Sequence, residues 1–316
     1  MRKAGLDMVY ELAKRDRRVV FIGSDLGPGV LDKMKHEMPD RFFMEGVQEQ
    51  NIIGMAAGMA MEGFIPFVNT IATFLTRRCY EQLAVDLCLH NLPVRLIGNG
   101  GGLVYAPLGP THLAVEDIAI MRALPKMTIV APADADEIKR LLPQTLNLNG
   151  PVYIRLGKGG DPIVSREQDG FKIGEAIELR KGDDISLIST GVMVNRVLKA
   201  AEQLASTGCQ CRVVNMHTIK PIDGEKLLEV ARASRMLVTI EEHSLIGGLG
   251  SAVAEFLADH FNSPPPFLHR IGIPDEFPSE YGSQDSLMNA IGLQPNAIAA
   301  SITKAMNRIG DNQSSD

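Results

Sequence analysis

Residues 18–25, RVVFIGSD, form a continuous apolar run that stops abruptly at Gly-Ser-Asp. A strand that is apolar on both faces has to be covered on both faces. Such strands belong to parallel sheets, and each parallel crossover needs a helix. The chain supplies those helices. Apolar runs recur at 64–70, 93–102, 126–132 and 151–157, with helical stretches after Glu49 and at 74–90, 114–123 and 134–146. With a short strand at 41–44, this gives six strand–helix repeats, enough for one doubly wound domain. The N-terminal segment reads as an amphipathic helix, with Leu6, Val9, Tyr10 and Ala13 on one side. Open parallel sheets place their ligands at the carboxyl ends of the strands, which makes Asp25, at the tip of the first run, a candidate site residue.

A second alternation follows. Strand-like runs at 185–191, 211–221, 235–244 and 267–273 enclose helical stretches at 193–207, 223–233 and 247–261. Between the two series, residues 158–180 break the pattern with glycine, proline and charge. A chain of 316 residues is long for a single core. The expected fold class is therefore α/β with two doubly wound domains: 1–160, a linker at 161–180, a smaller domain at 181–310, and a disordered tail at 311–316. A net charge of −6 argues against a nucleic-acid partner. The absence of a long apolar window argues against a membrane partner. The N-terminus lacks the apolar core of a signal peptide. Cys79, Cys88, Cys209 and Cys211 offer no disulfide framework, which fits a reduced, cytoplasmic chain. Cys209 and Cys211 would share a strand face, but no further ligands lie nearby and no metal site is expected.

The stretch RFFMEGVQEQNIIGMAAG, residues 41–58, places Glu49 at the mouth of an otherwise apolar helix. A helix apolar all round is a buried one. A carboxylate there is neutralised, paired or used. Gly54, Ala57 and Gly58 lack bulk and would let another backbone come close. The loop at 100–117 is rich in glycine and proline and presents His112. Thr111 could instead cap the following helix, leaving His112 an ordinary surface residue. Phe74 and Tyr80 lie beside Arg77 and Arg78, a set that suits either core or a planar ligand. Gly247-Gly248-Leu249-Gly250 resembles a phosphate loop but lacks the lysine, and close packing accounts for its glycines.

The motifs VQEQN, TFLTR, LGPTH and VAPADADE, in that order, resemble the pyrimidine-binding domain of thiamine-diphosphate enzymes of the transketolase group. EEHSLIGGLGSAVAEFL is similar to the group's C-terminal domain. The resemblance covers essentially the whole chain. It implies thiamine diphosphate as cofactor, with Glu49 against the N1′ nitrogen of its aminopyrimidine. Phe74 would line that ring with Tyr80 behind it and Arg77 in the same pocket, and Asp25 would lie near the thiazolium. His112, catalytic with Glu49, would face the substrate oxygens, and Arg155 would meet a substrate anion.

In the group, diphosphate and metal are held by a separate domain that carries a GDG motif. This chain has none; Gly182-Asp183-Asp184 is the nearest. The resemblance therefore implies a C-terminal (β) subunit of a split transketolase. Mg2+ or another divalent ion would be held by an N-terminal partner subunit in an α2β2 assembly. The reaction would move a two-carbon ketol unit from a ketose to an aldehyde. Two other readings are a β subunit of a 2-oxoacid decarboxylase that transfers an acyl group, and a non-catalytic subunit. Leu108 and Gly29 stand where the group's sugar-phosphate members have an aspartate and a serine, and a histidine near Gly100 is absent. Those departures point to an acceptor that is unphosphorylated or carries another anion.

Overall fold

The computed structural model describes residues 1–24, 29–261 and 265–313. The α/β architecture expected from the apolar runs is present as two sheets, each parallel apart from one edge strand. In the first half, the elements are α1 (Arg2–Arg15), β1 (Val19–Gly23), α2 (Asp32–Glu37), β2 (Phe42–Met44), α3 (Glu49–Met61) and β3 (Ile65–Ile71). Then come α4 (Tyr80–Gln82), β4 (Arg95–Asn99), α5 (Asp117–Ala123), β5 (Thr128–Val130), α6 (Ala135–Thr145) and β6 (Val152–Leu156). The second half holds β7 (Ile177–Arg180), β8 (Ile185–Ser189), α7 (Met193–Ser206), β9 (Cys211–Asn215), β10 (Thr218–Lys220) and α8 (Gly224–Ala233). It closes with β11 (Met236–Ser244), α9 (Leu249–His260), β12 (Phe267–Ile273), α10 (Gln284–Ala290) and α11 (Pro295–Gln313).

The first sheet runs β10-β5-β6-β4-β3-β1-β2 and the second β12-β11-β8-β9-β7. On one face of the first sheet lie α1 and α6, with Leu6, Val9 and Leu12 packed among Phe67, Ile138 and Leu141. Gly5 permits that contact, because a Cβ there would lie 2.8 Å from Ile138 Cδ1. On the other face, Ile52, Ile53 and Ala56 of α3 meet Leu75, Leu83 and Leu87, and this core runs on to Ile188, Val214 and Leu249 in the second half.

Four features depart from the sequence-based reading. Residues 211–221 form two strands, β9 in the second sheet and β10 in the first. Met216 N–H donates to Ser189 on one side of the break, and His217 carbonyl accepts from Ala131 N–H on the other. β10 then pairs antiparallel with β5. The helical stretch at 74–90 is wound wide, as a π-helix, over Phe74–Arg78 and Leu83–Leu89. Helices α10 and α11 extend the second half. Ile298 and Ile302 of α11 pack against Val197 and Leu204 of α7, and α11 runs into the segment expected to be a tail. Finally, α3 is not buried all round. Gly54 and Gly58 are exposed and a Cβ at either meets nothing within 4 Å, so no close backbone approach is made there within the chain.

The glycines divide by this test. A Cβ at Gly182 would lie 2.3 Å from the backbone carbon of Cys211, which cannot step aside as a side chain can. Gly182→Ala should cost about 1–3 kcal/mol or more in urea unfolding of the isolated chain. Gly58→Ala, in an open helix position, should gain up to about 1 kcal/mol.

Candidate active site

Three carboxyl-end connections of the first sheet converge. The segment after β2 delivers Glu49, the segment after β3 delivers Phe74, and the segment after β4 is the glycine-rich loop of His112. β1 lies between β2 and β3, where the strand order reverses, and such a point is the usual ligand crevice of an open sheet. The turn into α3 uses Gly46 at φ +73, a left-handed conformation that favours glycine.

Glu49 is the first residue of α3 and is 2% exposed. Its carboxylate is paired. Arg78 Nη1 donates to Oε2 at 2.6 Å, and the Thr70 hydroxyl, itself 2.6 Å from Ser24 Oγ, lies 3.4 Å from Oε1. The Arg78 guanidinium also lies over the ring of Phe74, 4.3 Å from its centroid. The ring of Phe74 meets the His112 ring edge-on, with centroids 5.1 Å apart. The structure thus joins Glu49, Arg78, Phe74 and His112 in one contact chain. A buried hydrogen-bond acceptor, an aromatic face and an imidazole at one crevice suit a flat nitrogen heterocycle with an N–H edge.

The other expected positions fall differently. Arg77 points toward the His112 loop. It pairs with Glu116 at 2.9 Å, donates to the Leu113 carbonyl at 3.2 Å, and hydrogen-bonds the Thr73 hydroxyl. It tethers that loop rather than meeting Glu49. Tyr80 is half-buried against the core beneath α3. Asp25 lies outside the described residues. Thr111 does not cap a helix: α5 starts at Asp117, and the Thr111 hydroxyl lies 2.9 Å from His112 Nδ1.

Arg155, expected to meet a substrate anion, is held largely by the chain itself. Arg155 is 6% exposed and its Nε donates to Asp117 Oδ2 at 2.8 Å. Its Nη2 donates to the carbonyls of Ala114 at 3.1 Å and Glu242 at 2.9 Å. Tyr153 hydroxyl donates to the same Asp117 oxygen at 2.6 Å. Sequence reasoning missed the residues that face this pair, Glu241, Glu242 and His243 at the end of β11. Four successive polar residues, Glu241 to Ser244, closing an apolar strand were the available signal. Glu242 accepts from Leu103 N–H at 2.6 Å and fixes the start of the glycine-rich loop. Glu241 accepts from Leu249 and Gly250 N–H, at 2.6 and 2.8 Å. The chain's own carboxylate therefore fills the Gly247–Gly250 turn, and packing explains its glycines. Among the described residues no group of three or more His, Cys, Asp or Glu could hold a metal ion.

Residues 1–160 match the family described as "Transketolase, pyrimidine binding domain", and 174–298 match "Transketolase, C-terminal domain". The chain is 39% identical over 299 residues to the 6-deoxy-6-sulfo-D-fructose transketolase subunit SqwH of Clostridium sp. (strain MSTE9), covering 94% of this chain and 92% of that one. It is 38% identical to 1-deoxy-D-xylulose-5-phosphate synthase 1 of Geobacter sulfurreducens, covering 93% of this chain but only 46% of that protein. A solved structure described as "Split gene transketolase, inactive beta4 tetramer" superposes with a TM-score of 0.89 at 36% identity, covering 97% of this chain and 98% of that one.

His243 makes a pH-dependent contribution. Its Nε2 accepts from Ala119 N–H at 3.2 Å and its Nδ1 donates to the Ser244 carbonyl at 2.8 Å, the pattern of a neutral ring. Burial pushes it from the ordinary 6.5 down to about 4. The unfolded ring takes up a proton first as pH falls, so stability present above pH 6.5 is lost toward pH 4. Burial raises Glu137 and Glu241 to about 7 and Glu242 to about 6, and these carboxyls act in the opposite direction. The difference between two proteins therefore carries the sign. In urea unfolding, the advantage of wild type over His243→Asn should shrink by up to about 3 kcal/mol on going from neutral pH to pH 4.

Proposed function

The chain belongs to the transketolase family, and from that premise we propose that it is the C-terminal (β) subunit of a split transketolase. It would use thiamine diphosphate to move a two-carbon ketol unit from a ketose to an aldehyde. The observation that carries this reading is Glu49, a buried carboxylate at the carboxyl edge of the sheet, with the Phe74 ring and His112 alongside. Its geometry fits the group: a flat cation with an N–H edge, here Arg78, already lies between Glu49 and Phe74. Bound thiamine diphosphate would supply the carbon nucleophile.

The chain's own residues would then position and exchange protons. Glu49 would hold a proton at the ring nitrogen N1′, and Phe74 would fix the plane of the ring. His112, whose ring abuts Phe74, would hydrogen-bond the substrate oxygens that change charge during transfer. The diphosphate and its divalent ion would be held by an N-terminal partner subunit in an α2β2 assembly. The relatives that support a divided enzyme are the subunit from Clostridium, the split-gene structure, and a chain of Methanocaldococcus jannaschii described as "Putative transketolase C-terminal section", 37% identical over 311 residues.

Arg155 is paired with Asp117, and Leu108 is 49% exposed at the position where the resemblance implies an aspartate in sugar-phosphate members. We take the substrate to be unphosphorylated or to carry a different anion, and a sulfonate like that in the name of the Clostridium relative is the first to try. The alternative reading, and the competing outcome of the test, is a β subunit of a 2-oxoacid decarboxylase component that transfers an acyl group.

Reconstitution tests the reading. This chain would be mixed with the candidate GDG-bearing subunit, thiamine diphosphate and magnesium. Ketol transfer from 6-deoxy-6-sulfofructose and from fructose 6-phosphate to a panel of aldehydes would be followed, with pyruvate decarboxylation in parallel. Transfer should appear only in the mixture and fall by about 10²–10⁴ in Glu49→Ala. Decarboxylation without ketol transfer would move the chain to the acyl-transfer reading. A stable complex that binds no cofactor would overturn both.

A further inference from the structure

A guanidinium and a protonated aminopyrimidine have the same recognition surface. Each is flat, each presents N–H donors in its plane, and each offers a face to an aromatic ring. In this chain Arg78 uses both parts of that surface at once. Nη1 donates to Glu49 Oε2 at 2.6 Å, and the guanidinium lies 4.3 Å over the centroid of Phe74. These are the two residues that the proposed function assigns to the cofactor's ring. Resting on that reading, we propose that Arg78 is a stand-in for the aminopyrimidine. It occupies the ring's place between Glu49 and Phe74 in the cofactor-free chain and has to swing out for the ring to enter.

The local chemistry requires a stand-in. Glu49 is 2% exposed, and a buried carboxylate stripped of its partner is costly. Its other contact, Thr70 at 3.4 Å, is at the outer limit of a hydrogen bond. Arg77 cannot serve, because Thr73, Glu116 and the Leu113 carbonyl already hold it against the His112 loop. Arg78 is free to leave. Its side chain is 42% exposed, and Glu49 is its sole ion-pair partner among the described residues. Binding is then an exchange of one cation for another on Glu49, and the fraction of chains with Arg78 withdrawn sets the apparent affinity. The device keeps Glu49 folded and paired before partner and cofactor arrive.

Two measurements test this. In the first, the assembled complex is titrated calorimetrically with thiamine diphosphate, as wild type, Arg78→Met and Arg78→Lys. Removing the stand-in should tighten binding roughly tenfold in Arg78→Met. Arg78→Lys, which keeps the charge but not the flat face, should fall between the two. Weaker or unchanged binding in Arg78→Met would overturn the proposal, since Arg78 would then be a cofactor contact or a bystander. Absence of binding by the wild-type complex would instead sink the thiamine-diphosphate reading, and this proposal with it.

The second measurement uses the isolated chain. A thermal-unfolding cycle of Glu49→Gln, Arg78→Met and the double variant should show strong coupling, with each single variant less stable than wild type. Additive effects would mean that the pair does not hold Glu49 and would also overturn the proposal.

Discussion

The pair formed by Arg155 and Asp117 is the contact on which the rest of the molecule turns. Both charges are buried, and they come from different elements, the end of β6 and the start of α5. The same guanidinium reaches the Ala114 carbonyl in the His112 loop and the Glu242 carbonyl on β11. One side chain therefore registers the central sheet, the loop over the crevice and the second half of the chain. A buried ion pair is weak support for stability in itself, but breaking it leaves an uncompensated charge. Its effect here is to exclude alternatives: the loop cannot slide along the sheet edge without stranding Asp117. Glu242, raised to about 6 by burial, pins the other end of the loop through Leu103.

One residue of the candidate site is legible in the sequence, where an energetic anomaly marks it. A carboxylate opening an apolar helix is costly, and this singles out Glu49 from the sequence alone. The identity of its partner was not legible. Arg77 and Arg78 are equivalent in composition, and which one faces Glu49 depends on the phase of a helix that winds as a π-helix from Phe74 to Arg78. The pairing of Arg155 was hidden for a related reason. An arginine at the carboxyl end of a strand looks like a ligand-binding group, and nothing in the local sequence reveals that Asp117 stands opposite it. The mutual approach of Phe74 and His112 was likewise a tertiary fact.

The fold was legible to the extent that period and apolar runs determine it. Continuous apolar strands with helices between them imply a parallel sheet, and both sheets follow from that rule. The reading failed where neighbours override local pattern. The run from Cys211 to Pro221 looks like a single strand because Val213, Val214, Met216, Thr218 and Ile219 spread strand-favouring residues over both halves, yet the chain leaves one sheet for the other after Asn215. The C-terminal helices lie beyond the last apolar run, where no strand marks the pattern, although α11 carries buried positions at Ile298 and Ile302 that pack on α7.

That change of sheet has a mechanical consequence. β10 is bonded into the first sheet by its pairing with β5, while the segments on either side of it belong to the second half. The two halves are laced together rather than jointed. A hinge rotation between them would have to tear a hydrogen-bonded ladder and unseat Arg155 from the carbonyl of Glu242. Bending between the halves is thus removed from the ways the chain can answer a ligand at the crevice. Opening and closing at the crevice are left to loops and to single side chains.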